Sequence, residues 1–225
     1  MESPVRPDDA TCDTTSDTIK GDPAFRLIET LGWYPGEGGR HQPRHLARMR
    51  RSAAAFGIPF DPGHSEAMLA EIVSDTPLRC RLTLDVEGRF DMTTAPLGKP
   101  AAEWRLGIAD IRLDADDPWL RHKTTRRAFY DSARAALSAG IDELVFLNQR
   151  AEVCEGTITN IFVTLAGGQV VTPPLGCGLL PGILRQEMLE RGLCAEAVLS
   201  LEDLKGAQSI LMGNSLRGLI PAKLV

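Results

Sequence analysis

The stretch from Val153 to Leu189 constrains this chain more than any other part of its sequence. An apolar run ends there in a carboxylate, Glu155, and an asparagine follows five residues later, at Asn160. Apolar residues on both sides of Ala166-Gly167-Gly168 predict a β-hairpin, and a turn rich in glycine and proline then leads into an amphipathic helix. The start of such a helix offers backbone N–H groups to an anion. We therefore interpret the rest of the chain as a scaffold for a site built around this stretch.

The amino-acid composition argues against some kinds of binding partner. The chain has 225 residues, of which 43% are hydrophobic and 24% are charged, as is usual for a globular protein of one large or two modest domains. A net charge of −5 argues against nucleic acid or an anionic membrane as the partner. No apolar run reaches the roughly 18 residues that span a bilayer, and the first residues lack the features of a signal peptide.

The cysteines and histidines favour a cytoplasmic protein without a metal site. Five cysteines are present, an odd number, and no pair has the CxxC spacing, so we expect reduced and mostly buried thiols. They are Cys12, Cys80, Cys154, Cys177 and Cys194. The four histidines show no paired spacing of the kind that zinc sites use, and we expect no metal.

The order of predicted elements indicates an α+β protein in two lobes. Residues 1–22 are polar and are predicted to form a flexible tail. Residues 23–113 would form a small α+β N-terminal lobe, residues 114–120 an interdomain linker and residues 121–225 the second lobe. Helices and strands mix without a regular βαβ alternation, which argues against a doubly wound sheet.

Hydrophobic periodicity predicts the individual elements. Leu78–Val86 alternates between apolar and polar residues, Arg89–Thr94 follows a turn, and Trp104–Leu113 is expected as a third strand of the same antiparallel sheet. Helices are predicted from Pro43 to Phe56, from Ser65 through Val73, over Thr124–Ala139 and over Pro181–Arg191.

A single lysine, Lys123, stands out upstream of the opening stretch, in the segment Arg121–Arg127. A desolvated lysine beside other cations has a lowered pKa and can act as a nucleophile. A surface lysine at the start of a cationic helix is the alternative. Together, a lysine, a buried carboxylate such as Glu155 and an anion-binding helix start suit the chemistry of pyridoxal phosphate.

Five segments carry a resemblance to a known family. They are His45–Arg48, His122–Arg127, Glu155–Phe162, Gly178–Ile183 and Asn214–Gly218. In these segments the sequence resembles the class IV, or fold-type IV, pyridoxal-phosphate enzymes, which include branched-chain aminotransferases, D-amino-acid transaminases and 4-amino-4-deoxychorismate lyases. The resemblance covers about residues 25–225, looks most like the lyase branch, and implies a two-lobed fold-type IV architecture.

The resemblance implies roles for seven residues. Lys123 would form the Schiff base with the cofactor, and Glu155 would face the pyridine nitrogen and keep it protonated. The other implied cofactor residues are Asn160, the phosphate-clamping Arg48, the backbone amides of Ile183 and Leu184, and Ser215. Many relatives carry a hydroxyl residue where Leu184 stands, so only its backbone could help. Arg48 could instead be a solvated helix charge, and Glu155 a carboxylate in a turn.

The sequence says less about the residues that contact the substrate and about the extent of the first lobe than about the cofactor residues. Arg217 and Arg105 are candidates for the carboxylates of the substrate, and a surface arginine in a salt bridge is the alternative for either one. Relatives usually begin with an extra strand and a Gly-rich segment before their Phe-Glu-Thr, for which this chain has Leu27–Thr30. The resemblance therefore implies an N-terminal lobe that is trimmed on the side that helps to shape the substrate pocket.

The predicted activity is that of a pyridoxal-phosphate lyase, which would convert 4-amino-4-deoxychorismate to 4-aminobenzoate and pyruvate in folate precursor synthesis. A class IV aminotransferase acting on branched-chain or D-amino acids would use the same cofactor residues and is the first alternative. A non-catalytic relative that acts as a binding partner is the second. The resemblance also implies a homodimer.

Overall fold

The computed structural model of the protein describes residue 19 and residues 21–99 and 101–225. The chain folds into two compact units. The first contains the described residues up to Pro96 together with Lys123–Arg126, and the second contains residues 97–122 and Arg127–Val225.

The first unit is built on an antiparallel sheet with the strand order β2-β1-β3-β4. Its elements are β1 (Leu27–Tyr34), β2 (Gly38–Gly39), β3 (Leu78–Leu84) and β4 (Phe90–Pro96), with helices α1 (Gln42–Ala55) and α2 (Pro62–Ala70). The predicted alternation holds in β3, where Cys80, Leu82 and Leu84 are buried and the residues between them are more exposed. The predicted hairpin of β3 and β4 is therefore confirmed.

The segment that carries Lys123 pairs with the beginning of β1. The N–H of Ile28 donates to the carbonyl of Lys123 (2.8 Å), and the N–H of Thr125 donates to the carbonyl of Arg26 (2.9 Å). The helix predicted to start at Thr124 therefore begins only at Ala128, because the preceding backbone is extended and already bonded to a strand.

The second unit contains a mixed sheet with the strand order β10-β9-β8-β11-β12-β5-β6-β7. Its strands are β5 (Trp104–Leu113), β6 (Glu143–Asn148), β7 (Val153–Gly156), β8 (Asn160–Thr164), β9 (Val170–Thr172), β10 (Ala195–Glu196), β11 (Ser209–Asn214) and β12 (Gly218–Leu224). Its helices are α3 (Ala128–Ala135), α4 (Ile183–Glu190) and α5 (Leu201–Lys205). Buried apolar residues from most of these strands, such as Leu106, Val145 and Ile161, form one continuous core.

The placement of β5 corrects the predicted domain organisation. Trp104–Leu113 is a strand, as predicted, but it runs parallel to β6 and β12 in the sheet of the second unit. The predicted boundaries, 23–113 for the first lobe and 114–120 for a linker, therefore differ from the observed ones, since the second unit begins at residue 97. The expected linker packs within this unit, because Ala115 is buried and its N–H donates to Gln149 (2.9 Å).

The structure differs in detail from two further predictions, the flexible tail and the second helix. Residues 1–18 and 20 of the predicted tail lie outside the described residues, but its end is packed: Ile19 is buried, and its carbonyl accepts from the N–H of Asp22. Helix α2 begins after Asp61, whose carboxylate accepts from the N–H of His64, rather than at Ser65. Val73 was expected on an apolar helix face but lies beyond α2 and is 92% exposed.

Cys80, Cys154, Cys177 and Cys194 are buried free thiols, and Cys12 lies outside the described residues. The cytoplasmic location stays a prediction. None of the helices in the described part of the chain combines the length and the apolar character needed to cross a bilayer. The described residues also contain no group of three or more His, Cys, Asp or Glu side chains that could hold a metal ion.

Candidate active site

The carboxylate of Glu155 lies buried at the end of β7 and accepts hydrogen bonds from two neutral side chains. The hydroxyl of Tyr130, on α3, donates to Oε1 at 2.6 Å, and Nδ2 of Asn160, the first residue of β8, donates to Oε2 at 3.3 Å. Burial raises the pKa of the Tyr130 hydroxyl, and the neighbouring charge of Glu155 raises it further. The phenol therefore stays a hydrogen-bond donor throughout the ordinary pH range.

Asn160 connects this carboxylate to the start of α4. Its Nδ2 also donates to the carbonyl of Leu180 (3.1 Å), in the turn before the helix. A Cβ atom on Gly182 would lie only 1.9 Å from Oδ1 of Asn160, so the glycine before the helix leaves room for this side chain. Among the residues that the structure describes, no side chain caps α4, and the first amides of a helix have no acceptor within it. The arrangement places a buried carboxylate and an uncapped helix start on either side of one asparagine.

A second buried carboxylate, Glu143, holds the loop that follows Glu155. Glu143 accepts from the N–H and the hydroxyl of Thr157 (3.0 and 2.5 Å) and from the hydroxyl of Thr159 (3.2 Å). Gly156 fits beneath this loop because a Cβ atom there would come within 2.6 Å of Oγ1 of Thr159. The loop after Glu155 is thereby fixed by the first residue of β6.

The turn between β11 and β12 is tied to the same loop. Nδ2 of Asn214 donates to the carbonyl of Ile158 (3.0 Å), and Oδ1 of Asn214 accepts from the N–H groups of Leu216 and Arg217. Ser215 lies within this turn. The structure therefore brings Glu155, Asn160, the first residues of α4 and the Ser215 turn together through direct contacts and one shared loop.

The first unit contains a buried ion cluster around Glu29, on β1. Arg48 binds this carboxylate through Nε (2.8 Å) and Nη2 (2.7 Å), and Nδ1 of His45 lies 2.6 Å from Oε2. Burial by itself raises the pKa of Glu29, but Arg48 and His45 outweigh it and lower the pKa to about 2. Arg48 is thus buried and paired, and its alternative interpretation as a solvated helix charge is wrong.

Lys123 and Arg48 are both anchored to adjacent residues of β1 in the first unit. The backbone of Lys123 accepts from the N–H of Ile28, while the guanidinium of Arg48 binds the side chain of Glu29. Lys123 as a residue is half-buried, and burial lowers the pKa of the preceding His122. The other five predicted cofactor residues belong to the second unit.

The two predicted substrate arginines occupy the surface of the second unit. Nε of Arg105 lies 3.4 Å from a carboxylate oxygen of Asp142, so Arg105 is an exposed arginine in a salt bridge. The guanidinium of Arg217 stands 6.0 Å from the centre of the Trp104 ring. A role in substrate binding stays a prediction for both.

Sequence reasoning missed the residues that hold the predicted ones. Tyr130 was assigned no role, and Glu143 was not singled out, because each is recognised only by a partner more than ten residues away. Glu29 gave a usable signal, since a charged residue within the apolar run Leu27–Leu31 must find a buried partner.

Comparison with known proteins identifies relatives over most of the chain. The family described as amino-transferase class IV matches residues 26–225. A Schizosaccharomyces pombe protein with the provisional name aminodeoxychorismate lyase is 33% identical over 187 residues, which are 78% of this chain and 80% of that protein.

Solved structures support the same assignment. A structure from Mesorhizobium loti, provisionally named an amino-acid aminotransferase, is 46% identical and has a TM-score of 0.85, over 89% of this chain and 100% of that one. The 4-amino-4-deoxychorismate lyase from Pseudomonas aeruginosa is 26% identical with a TM-score of 0.75, over 88% of this chain and 82% of that one. The predicted α+β architecture of fold type IV is confirmed, and the chain belongs to the amino-transferase class IV family.

Proposed function

We propose that this protein is a pyridoxal-phosphate enzyme that converts 4-amino-4-deoxychorismate to 4-aminobenzoate and pyruvate. The observation that carries the proposal is the buried carboxylate of Glu155, which Tyr130 and Asn160 hold beside an uncapped helix start, in a chain of the class IV family. The lyase rather than another class IV activity is favoured by the 33% identity to the S. pombe protein and by the lyase-like segment His122–Arg127.

The residues of the second unit fit a phosphorylated pyridine. The amides of Ile183 and Leu184 begin a helix whose dipole favours a phosphate, and Gly182 has no side chain to cover them. Ser215, in the turn tied to the loop after Glu155, would add a hydroxyl. The role at the phosphate that the resemblance implies for Arg48 stays a prediction, and its guanidinium binds Glu29 within the first unit. When bound, the cofactor would supply an electron sink for the carbon that carries the amino group of the substrate.

Three side chains would then orient the cofactor and transfer the proton. Glu155 would accept a hydrogen bond from the protonated ring nitrogen, and a buried carboxylate suits this task because its charge is little screened. Asn160 would keep that carboxylate at a fixed position relative to the start of α4. Nζ of Lys123 would remove the proton from the substrate carbon that carries the amino group and could protonate the enolpyruvate that leaves.

A class IV aminotransferase is the alternative, and a specific observation favours it. The M. loti structure, which is 46% identical, carries an aminotransferase name. In that reaction Lys123 would move the same proton, but no fragment would leave the substrate, and a 2-oxo acid would receive the amino group. The proposed cofactor residues are the same for both activities.

Product analysis tests the proposal. The protein with added pyridoxal phosphate is incubated with 4-amino-4-deoxychorismate, and separately with branched-chain or D-amino acids and 2-oxoglutarate. The lyase predicts equal amounts of 4-aminobenzoate and pyruvate, both abolished in Lys123→Ala. Lys205→Ala, at an exposed lysine paired with Glu202, serves as the matched control and should retain full activity. A new amino acid without 4-aminobenzoate would overturn the lyase proposal in favour of the aminotransferase.

We also propose that the protein acts as a homodimer, as its resemblance to class IV enzymes implies. Light scattering at micromolar concentration should give twice the mass of the 24.4 kDa chain. A monomeric mass under these conditions would contradict this proposal and leave the proposed reaction untouched.

A further inference from the structure

We propose that Tyr130 is a positioning residue for the reaction: its hydroxyl fixes the Glu155 carboxylate in the orientation that meets the ring nitrogen of the cofactor. This inference rests on the function proposed above. Tyr130 and Glu155 both lie in the second unit, on α3 and β7, and both are buried. Their contact therefore does not depend on the placement of Lys123.

Glu155 accepts a shorter hydrogen bond from Tyr130 than from Asn160. The distance from the phenol oxygen to Oε1 is 2.6 Å, in the range of strong bonds between a hydroxyl and a carboxylate, whereas Asn160 lies 3.3 Å from Oε2. Asn160 also shares its Nδ2 with the carbonyl of Leu180. Tyr130 is thus the donor that defines the plane of the carboxylate more strongly.

The ring of Tyr130 has little freedom to move this hydroxyl. Phe146, a fully buried residue of β6, meets it edge to face at 5.1 Å between ring centres, and the centre of the Phe129 ring lies 4.0 Å away. The guanidinium of Arg127 stands 5.5 Å from the ring centre. The aromatic core therefore imposes the position of the hydroxyl, and through it the position of the carboxylate.

Helix α3 is also fixed to the chain on the far side of Glu155. Nη2 of Arg127 donates to the carbonyl of Thr157 (2.8 Å), and Nη1 of Arg134 donates to its hydroxyl (3.0 Å). The helix thereby holds Glu155 through Tyr130 and the following loop through two arginines. A movement of the end of β7 and the following loop relative to α3 would have to break both sets of bonds.

The hydroxyl is suited to orient the carboxylate without cancelling its charge. Burial and the charge of Glu155 raise the pKa of Tyr130, so the phenol remains neutral and protonated. A neutral donor leaves the net charge of the carboxylate in place, and that charge is what a protonated ring nitrogen requires.

The test compares two ligands in two proteins. Dissociation constants of pyridoxal phosphate, and of its analogue in which a C–H group replaces the ring nitrogen, are measured for wild type and Tyr130→Phe by fluorescence titration. We expect Tyr130→Phe to weaken pyridoxal phosphate about 10- to 100-fold, the effect of losing a hydrogen bond to a charged group. Binding of the analogue should change less than about twofold, because Glu155 has no ring N–H to meet.

The matched control is Tyr34→Phe, which removes the chain's other phenol hydroxyl, in β1 of the first unit. It should leave both dissociation constants unchanged. Equal weakening of both ligands by Tyr130→Phe would mean that Tyr130 only supports the fold and would overturn the inference, as would unchanged binding of both. If wild type itself fails to bind pyridoxal phosphate, the proposed function fails first.

A second measurement leaves Tyr130 in place, in case Tyr130→Phe does not fold. In Tyr34→Phe protein labelled with 3-fluorotyrosine, Tyr130 gives the single fluorine resonance, since the chain has two tyrosines. We expect pyridoxal phosphate to shift this resonance and the analogue to leave it near its position in the ligand-free protein. The same shift with both ligands, or none with either, would contradict the inference.

Discussion

Glu29 in the first unit and Glu155 in the second are buried carboxylates that differ in the side chains bonded to them. Glu29 of the first unit is bound by the guanidinium of Arg48 through two hydrogen bonds and by His45. Glu155 of the second unit accepts hydrogen bonds of 2.6 and 3.3 Å from the phenol of Tyr130 and the amide of Asn160. The partners of Glu29 include a cation that offsets its charge, whereas Tyr130 and Asn160 orient Glu155 and leave its charge in place.

The difference in partners indicates different roles for the two carboxylates. A buried carboxylate that pairs with an arginine inside the protein contributes to folding, because removing either partner strands the other charge. The hydroxyl of Tyr130 and the amide of Asn160 orient Glu155 without adding a positive charge, which suits this carboxylate to face a cationic group of a ligand. We therefore expect the two residues to respond differently to the same substitution, Glu→Gln.

The largest effect on stability is expected for Glu29→Gln. The substitution leaves Arg48 buried without its charge partner and should lower the free energy of unfolding by about 3–5 kcal/mol. Urea unfolding of the ligand-free protein measures this, with Glu202→Gln, at an exposed carboxylate, as the control that should change it by less than about 1 kcal/mol. Glu155→Gln should cost less than Glu29→Gln, because the amide oxygen can still accept from Tyr130. Equal losses in the free energy of unfolding for Glu29→Gln and Glu155→Gln would contradict the different roles of the two carboxylates.

The next largest effect is expected on catalysis and is confined to Glu155. Glu155→Gln removes the charge that would face the ring nitrogen, and truncating one partner of a buried charge pair costs about 2–5 kcal/mol. We expect kcat/KM to fall by roughly 30-fold to several thousandfold. Steady-state rates of product formation at saturating pyridoxal phosphate measure this. Undiminished rates would show that the charge of Glu155 plays no part in the chemistry.

The pH dependence of stability should carry the signature of Glu29. Burial raises its pKa, but Arg48 and His45 outweigh that effect and lower it from 4.5 to about 2. The unfolded chain therefore binds the proton more readily, and the stabilisation present above pH 4.5 is lost as the pH falls towards 2. Wild type should lose about 3 kcal/mol more than Glu29→Gln over this window, as chemical denaturation at stepped pH would measure. Parallel curves for the two proteins would argue against the ion cluster.

The smallest effect is expected for Gly182→Ala, which disturbs the surroundings of Glu155 alone. The new Cβ atom would overlap Oδ1 of Asn160, and such overpacking typically costs about 1–3 kcal/mol. We expect weaker binding of pyridoxal phosphate together with a modest loss of stability. Gly167→Ala, where nothing lies within 4 Å of the added atom, is the matched control. Unchanged affinity for pyridoxal phosphate in Gly182→Ala would show that Asn160 plays no part in binding the cofactor.

The sequence predicted those parts of the site that depend on neighbouring residues. Glu155, Asn160 and the start of α4 lie within thirty residues on consecutive elements, so their proximity follows from one strand, one hairpin and one turn. Hydrophobic alternation likewise predicted β3 and β4 with their antiparallel pairing, because two strands that are joined by a short turn pair as a hairpin.

Features that depend on distant partners could not be predicted in this way. The strand at Trp104–Leu113 was recognised, but its parallel pairing with β6 and β12 depends on segments that come much later in the chain. The extended backbone at Lys123 is determined by β1, roughly a hundred residues earlier, which overrides the helical pattern that begins at Thr124. The role of Tyr130 also depends on a partner twenty-five residues away.

The most direct test of the account is to locate the cofactor on the chain. Purified protein with added pyridoxal phosphate is reduced with borohydride, and the peptides are mapped by mass spectrometry, with Lys123→Ala and Lys205→Ala treated in parallel. The account predicts a yellow protein whose pyridoxyl label lies on Lys123, is absent from Lys123→Ala and is unchanged in Lys205→Ala. A protein that takes up no pyridoxal phosphate, or that is labelled equally in Lys123→Ala, would contradict it.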